Sequence, residues 1–152
     1  MKKIVALLFA TVLFVSADVE VSDIKYKSNE KFLGGEYVLN GAGVREKWFI
    51  DLYAIGLYVK EKSSDGSVIL DSDANKFVRI VIVSSLITAE KFHKGLNDGF
   101  EKSTQGKTDS IKKEIALVRN GFGSDFAADD EFIVYFDQSG ETKIYKSGKE
   151  TV

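Results

Sequence analysis

The chain has 152 residues, 44% hydrophobic and 12% aromatic, enough for the core of one domain and too few for two ordinary ones. With 21 basic residues scattered among 23 acidic ones its net charge is −2, so nothing in its electrostatics recruits nucleic acid. It has no cysteine, which excludes disulfides, thiolate nucleophiles and cysteine-ligated metals.

The first residues, MKKIVALLFATVLFVSA, place Lys2 and Lys3 before an uncharged run from Ile4 to Val15. That run is too short to span a bilayer comfortably, and Val15-Ser16-Ala17 offers the small residues a secretory peptidase cuts after. Residues 1–17 are therefore expected to be a signal peptide, leaving residues 18–152 as one domain with no membrane-spanning segment. Loss of Lys2 and Lys3 reduces 21 basic residues to 19 against 23 acidic ones, a net charge near −4. Export without cysteine suits a bacterial periplasm.

Beyond the signal, DVEVSDIKY alternates as a first strand, and NEKFLGGEYVL places Gly34-Gly35 between two strand-like pieces of a hairpin. From Val44 the alternation runs on: Val44, Trp48, Ile50, Leu52 and Ala54 share one parity, and Arg45, Phe49, Tyr53, Ile55 and Leu57 the other. Both faces are largely apolar, which predicts a central strand covered on both sides. SSDGS at 63–67 is a turn and KFVRIVIVSSL at 76–86 a β-branched strand. The period then changes. Thr88 is placed to cap a helix carrying Ala89, Phe92, Leu96 and Phe100 on one face, and Asp109 to cap a second, with Ile111, Ile115 and Val118, ending near Asn120-Gly121. EFIVYF and ETKIY return to strands, with turns at 137–140 and 146–149. No proline, repeat or linker divides the chain, so the order predicts one α+β domain with a mainly antiparallel sheet.

Arg45 is the most informative residue. Gly41 and Gly43 before it allow close backbone approach, and Phe49 and Tyr53 on its parity predict an apolar wall beside a fixed guanidinium. That pairing suits a carboxylate or phenolate on an otherwise greasy ligand. The remaining candidates are weaker. GAGVRE lacks the third glycine of a dinucleotide fingerprint and precedes a strand. His93 stands alone, without a second metal-ligating histidine or cysteine, and is expected to be a packed or partly exposed helix residue. Asp125, Asp129, Asp130 and Glu131 lack the spacing of a calcium loop. No G-x-S-x-G marks a serine hydrolase, and no motif asks for a cofactor or metal.

The stretch LNGAGVREKWFIDLYAIGLYV (39–59), followed by KFVRIVIVSSLITAEKFHKGLNDGF and the final hairpins, resembles the chalcone isomerase-like family, in its short exported bacterial branch, over roughly residues 32–149. The resemblance implies an open-faced sandwich, a large antiparallel sheet with helices packed on one face and a hydrophobic cleft between them. It also implies that Arg45 faces the anionic part of a ligand. Plant members close the ring of a chalcone; related plant proteins bind fatty acids. The family's hydroxyl-bearing residue before the Ala-Ile-Gly piece falls on Tyr53, its helix asparagine on Asn97, and a helix-start tyrosine on Glu90 or Lys91. The chain ends where the family usually continues into another strand and helix. On an uninterrupted strand, Arg45 and Tyr53 would lie about 26 Å apart; their convergence demands a bend or a strand break between them.

The leading reading is a binder of a small amphipathic anion such as a fatty acid, with Arg45 at the charged head and Phe49, Tyr53 and Asn97 around the rest. The alternative is an isomerase in which Arg45 and Tyr53 act on a chalcone-like substrate, Arg45 holding the phenolate or enolate. A third is an envelope module that binds a protein partner.

Overall fold

The computed structural model describes residues 17–152, so the expected signal peptide lies, except for Ala17, outside the described residues. Nine strands run in order: β1 (Val19–Val21), β2 (Ile24–Tyr26), β3 (Asn29–Phe32), β4 (Gly35–Lys47), β5 (Ile50–Val59), β6 (Lys76–Ile82), β7 (Glu131–Phe136), β8 (Thr142–Lys146) and β9 (Lys149–Glu150). β3 to β9 form a seven-stranded antiparallel sheet in sequence order, and β1 and β2 a separate hairpin. The short helix α1 (Gly66–Asp71) follows β5, while α2 (Ala89–Ser103) and α3 (Lys112–Phe122) are inserted between β6 and β7.

Four of the reversals are two-residue loops in which both residues have positive φ, as type I′ hairpins require: Ser22-Asp23, Leu33-Gly34, Trp48-Phe49 and Ser147-Gly148. Two of them correct the sequence reading. The single strand expected over DVEVSDIKY is the β1–β2 hairpin, and the single central strand expected from Val44 to Leu57 is the β4–β5 hairpin. The alternation hid the second turn for a definite reason. A two-residue loop inverts parity, but Leu52 lacks a cross-strand partner, a bulge that restores it, so Arg45 pairs with Tyr53 and the period of two runs on unbroken.

Smaller corrections follow from local hydrogen bonding. The 76–86 strand ends at Ile82, and the SSDGS turn contains the start of α1, whose Asp65 side chain accepts from the Ser67 N–H. Thr88 caps α2 as expected, accepting from the Lys91 N–H. Asp109 does not cap the second long helix. It opens a 3-10 turn over Asp109–Ile111 and pairs with Lys112 at 2.6 Å, while α3 closes at Gly123 with φ 74°.

The sheet has two differently covered faces. On one, Tyr26, Tyr37, Leu39, Ala54, Tyr58, Phe77, Ile133, Tyr135 and Tyr145 form an aromatic core beneath the β1–β2 hairpin. Phe32 of β3 meets Tyr145 of β8 edge-on at 5.2 Å, so the sheet curls toward this hairpin face until distant strands touch. On the other, Ile80, Ile82, Phe132 and Ile144 pack against Ile87, Phe92 and Phe122 of the helical layer. Gly121 lets α3 lie directly on β8: a Cβ there would come within 2.7 Å of Ile144 Cδ1.

Candidate functional site

The β4–β5 register assembles the site. Gly41 pairs with Leu57, Gly43 with Ile55 and Arg45 with Tyr53, and directly opposed residues of an antiparallel pair project to the same face. That face is the helix face, since Tyr53 and Ile55 pack against the helix-side core and the Tyr53 ring meets Phe92 of α2 at 5.7 Å. Of the bend or strand break required between Arg45 and Tyr53, the strand break is therefore present, supplied by the turn at Trp48-Phe49.

Gly41 and Gly43 give this strip its shape. A Cβ placed on either meets no atom within 4 Å, so the space above them is open. Half-buried Leu57, Ile55 and Tyr53 stand alongside, and Arg45 ends the row. The result is an open apolar strip, a shallow trough walled on one side by these side chains, with one cation at its end. Arg45 is solvent-exposed and forms no ion pair among the described residues, so its guanidinium is available to an incoming carboxylate. Asn40, the unpaired bulge residue beside Gly41, is already engaged: its side-chain oxygen accepts from the Ser63 N–H at 2.9 Å.

Two expected site residues lie elsewhere. Phe49 is not a wall of the trough; it sits at the hairpin tip, 95% exposed, because the chain reverses between it and Arg45. Asn97 faces an open groove of about 640 Å³ between α2 and α3, with His93 and Arg119, away from the Arg45–Tyr53 pair. Glu90, Lys94 and Asp98 also line that open groove, so charged groups stand at its edge. His93 contacts Phe126, its Nε2 is buried without a partner, and burial, aided by the Arg119 charge, holds its pKa below 6.5. Of the acidic cluster, Asp130 pairs with Lys146 at 2.9 Å and Glu131 with Arg79 at 2.7 Å. Burial pushes the Asp130 carboxyl up, but Lys146 and the Ala127 N–H outweigh it and hold it below 3.8.

The hairpin face is closed over Gly56, while Phe32, Phe77, Arg79, Glu131 and Ile133 line a pocket of about 280 Å³ beside Lys25. Tyr26 lies across Gly56 so tightly that a Cβ on Gly56 would come within 2.5 Å of its ring. Arg79 fixes the hairpin above: Nε and Nη2 donate to Glu131 Oε2 at 2.7 Å, and Nη1 donates to the Lys25 carbonyl at 2.9 Å. Sequence reasoning missed this clamp, whose one visible signal was an arginine within a β-branched strand.

A curled antiparallel sheet with a helical layer on one face is the architecture the sequence resemblance implies. The family model described as chalcone isomerase-like matches residues 18–152. The chain is a member of the chalcone isomerase-like family. No curated protein matches it. Among solved structures it is similar to the crystal structure of a fatty-acid binding protein of Arabidopsis thaliana, with a TM-score of 0.67 and 14% sequence identity, over 89% of this chain and 80% of that one. At that identity the likeness establishes the open-faced sandwich and its strand order. Among the described residues, no helix is long and apolar enough to cross a membrane.

Proposed function

We propose that this chalcone isomerase-like protein binds a small amphipathic anion, a fatty acid in the first instance, in the trough over Gly41 and Gly43. The observation that carries the reading is Arg45: a guanidinium with no ion pair among the described residues, on the same face as Tyr53, Ile55 and Leu57, beside open space. Its planar fork takes both oxygens of a carboxylate, and each methylene laid against the apolar strip contributes about 0.8 kcal/mol. The fatty-acid binding of the structurally similar Arabidopsis protein supports this ligand class. Export to a periplasm belongs to the same reading. It rests on the lysines, apolar run and cleavage residues of the first seventeen positions, and the family match begins at residue 18.

Arg45→Ala is expected to lower the affinity of the delipidated protein for a saturated fatty acid at least tenfold, a loss of about 1.5–3 kcal/mol for a charge-assisted hydrogen bond, with the melting temperature unchanged. Displacement of a fluorescent fatty acid measures it; equal affinity in the variant removes Arg45 from the ligand.

The cross-strand pairing of Arg45 and Tyr53 also supports the isomerase alternative, because it puts a cationic and a hydroxyl-bearing residue opposite each other on one face. The exposure of Arg45 favours binding, since a guanidinium stabilises a developing oxyanion most where water is excluded. Ring closure of hydroxylated chalcones no faster than the spontaneous rate eliminates that alternative.

A further inference from the structure

The tip of the β4–β5 hairpin contradicts ordinary turn chemistry. Type I′ loops favour Asn-Gly because both residues have positive φ, and the other three two-residue loops here carry Ser-Asp, Leu-Gly and Ser-Gly. This one carries Trp48 (φ 55°) and Phe49 (φ 63°), and their side chains are 81% and 95% exposed. Two large aromatic residues in a left-handed conformation, packed on nothing, serve neither the fold nor the core.

The surroundings of the tip are equally one-sided. Lys47 pairs with Ile50 and Arg45 with Tyr53, which places both cations and the exposed Ile50 side chain on the helix face. Neither cation forms an ion pair among the described residues. The nearby carboxylates, Glu46 and Asp51, are partners on the opposite face, where Asp51 accepts from Ser22 Oγ at 2.6 Å. An aromatic tip with a cationic collar on one side is complementary to an anionic lipid surface: the rings enter the interface and the cations meet phosphate.

We propose that the Trp48-Phe49 tip docks the protein onto an anionic bilayer. A bilayer suits the tip better than a protein partner. The two rings present together roughly 300–500 Å², below the ~800 Å² that each partner gives to a stable protein interface, whereas lipid needs no matching shape. Docking through this hairpin brings Arg45 and the end of the trough to the membrane. Only that last consequence depends on the fatty-acid reading.

Trp48 is the only tryptophan of the chain, so its fluorescence reports on the tip alone. The protein, as cells produce it, is titrated with phosphatidylcholine vesicles with and without about a quarter phosphatidylglycerol, all free of fatty acid. The expected result is a blue shift of Trp48 emission and quenching by brominated lipid, strongest with phosphatidylglycerol and weakened by salt. Phe49→Gly suits the turn better and keeps the reporter; it is expected to fold at least as stably and to lose vesicle affinity by roughly tenfold or more. Lys47→Glu is expected to lower affinity several-fold on anionic vesicles and not on neutral ones. Emission unmoved by saturating anionic lipid overturns the proposal, as does binding that Phe49→Gly leaves intact. Crosslinking from position 48 to one protein, with no response to vesicles, overturns it in favour of a protein partner. Because the vesicles supply no fatty acid and the readout is Trp48 alone, a failed ligand assay leaves this outcome standing, and the reverse holds too.

Discussion

The two faces of the β4–β5 ribbon use glycine for opposite ends. On the hairpin face, Gly56 is the one residue small enough to let the Tyr26 ring lie on the backbone, and that ring fills the space above it. On the helix face, Gly41 and Gly43 have nothing above them. The first glycine serves packing and the other two leave room, although all three sit in adjacent registers of one hairpin, Gly56 opposite Ala42. Of these three positions, the second pair alone has open space above it.

Substitution at these positions tests the contrast. Gly56→Ala drives a methyl into a rigid, fully buried ring, and the hairpin has to lift or the strand to shift. We expect a loss of about 1–3 kcal/mol, the usual cost of overpacking, seen as a lower midpoint in denaturant. An unchanged midpoint would mean that Tyr26 is not seated there in solution. Gly43→Leu, by contrast, occupies open space, so stability is expected to stay within about 0.5 kcal/mol. Its effect falls on the ligand: the leucine fills the trough, and fatty-acid affinity is expected to drop about tenfold or more. Retained affinity would move the acyl chain off the Gly41–Gly43 floor.

The sequence carried the fold class and most element positions because burial imposes a period, and the β-branched and aromatic runs of β6, β7 and β8 show it plainly. It carried less of the β4–β5 ribbon. The parity argument correctly grouped Arg45 with Tyr53, Ile55 and Leu57, since the bulge at Leu52 keeps alternation intact across the turn. For the same reason it wrongly included Phe49, and Trp48-Phe49 lacks the small or polar turn residues, Ser-Asp, Leu-Gly and Ser-Gly, that the other three two-residue reversals carry. Asn97 rests on family correspondence alone, and a slip of one or two residues along a helix, at about 100° each, decides which groove such a residue faces. The Tyr26–Gly56 contact, spanning thirty positions of chain, has no local signature.

The hairpin face also differs from the helix face in what it does with protons. Burial pushes Tyr26, Tyr58 and Tyr145 up to about 12, against an ordinary value of 10. Between those values an unfolded chain has released these protons while the folded one keeps them, so the contribution is complete below 10 and is lost as pH rises toward 12. Alkaline melts should therefore show stability falling steadily across that window, with tyrosinate absorbance appearing as the protein unfolds. Tyr26→Phe isolates one member of the set. Its hydroxyl is buried without a hydrogen-bond partner, so its removal is expected to leave neutral-pH stability unchanged or raise it by up to about 1 kcal/mol. The ring stays over Gly56, and the alkaline decline becomes shallower because one proton no longer distinguishes the two states. A clear loss of stability at neutral pH would show that the hydroxyl has a partner after all, such as a trapped water beneath the hairpin, and that this face is less dry than its packing implies.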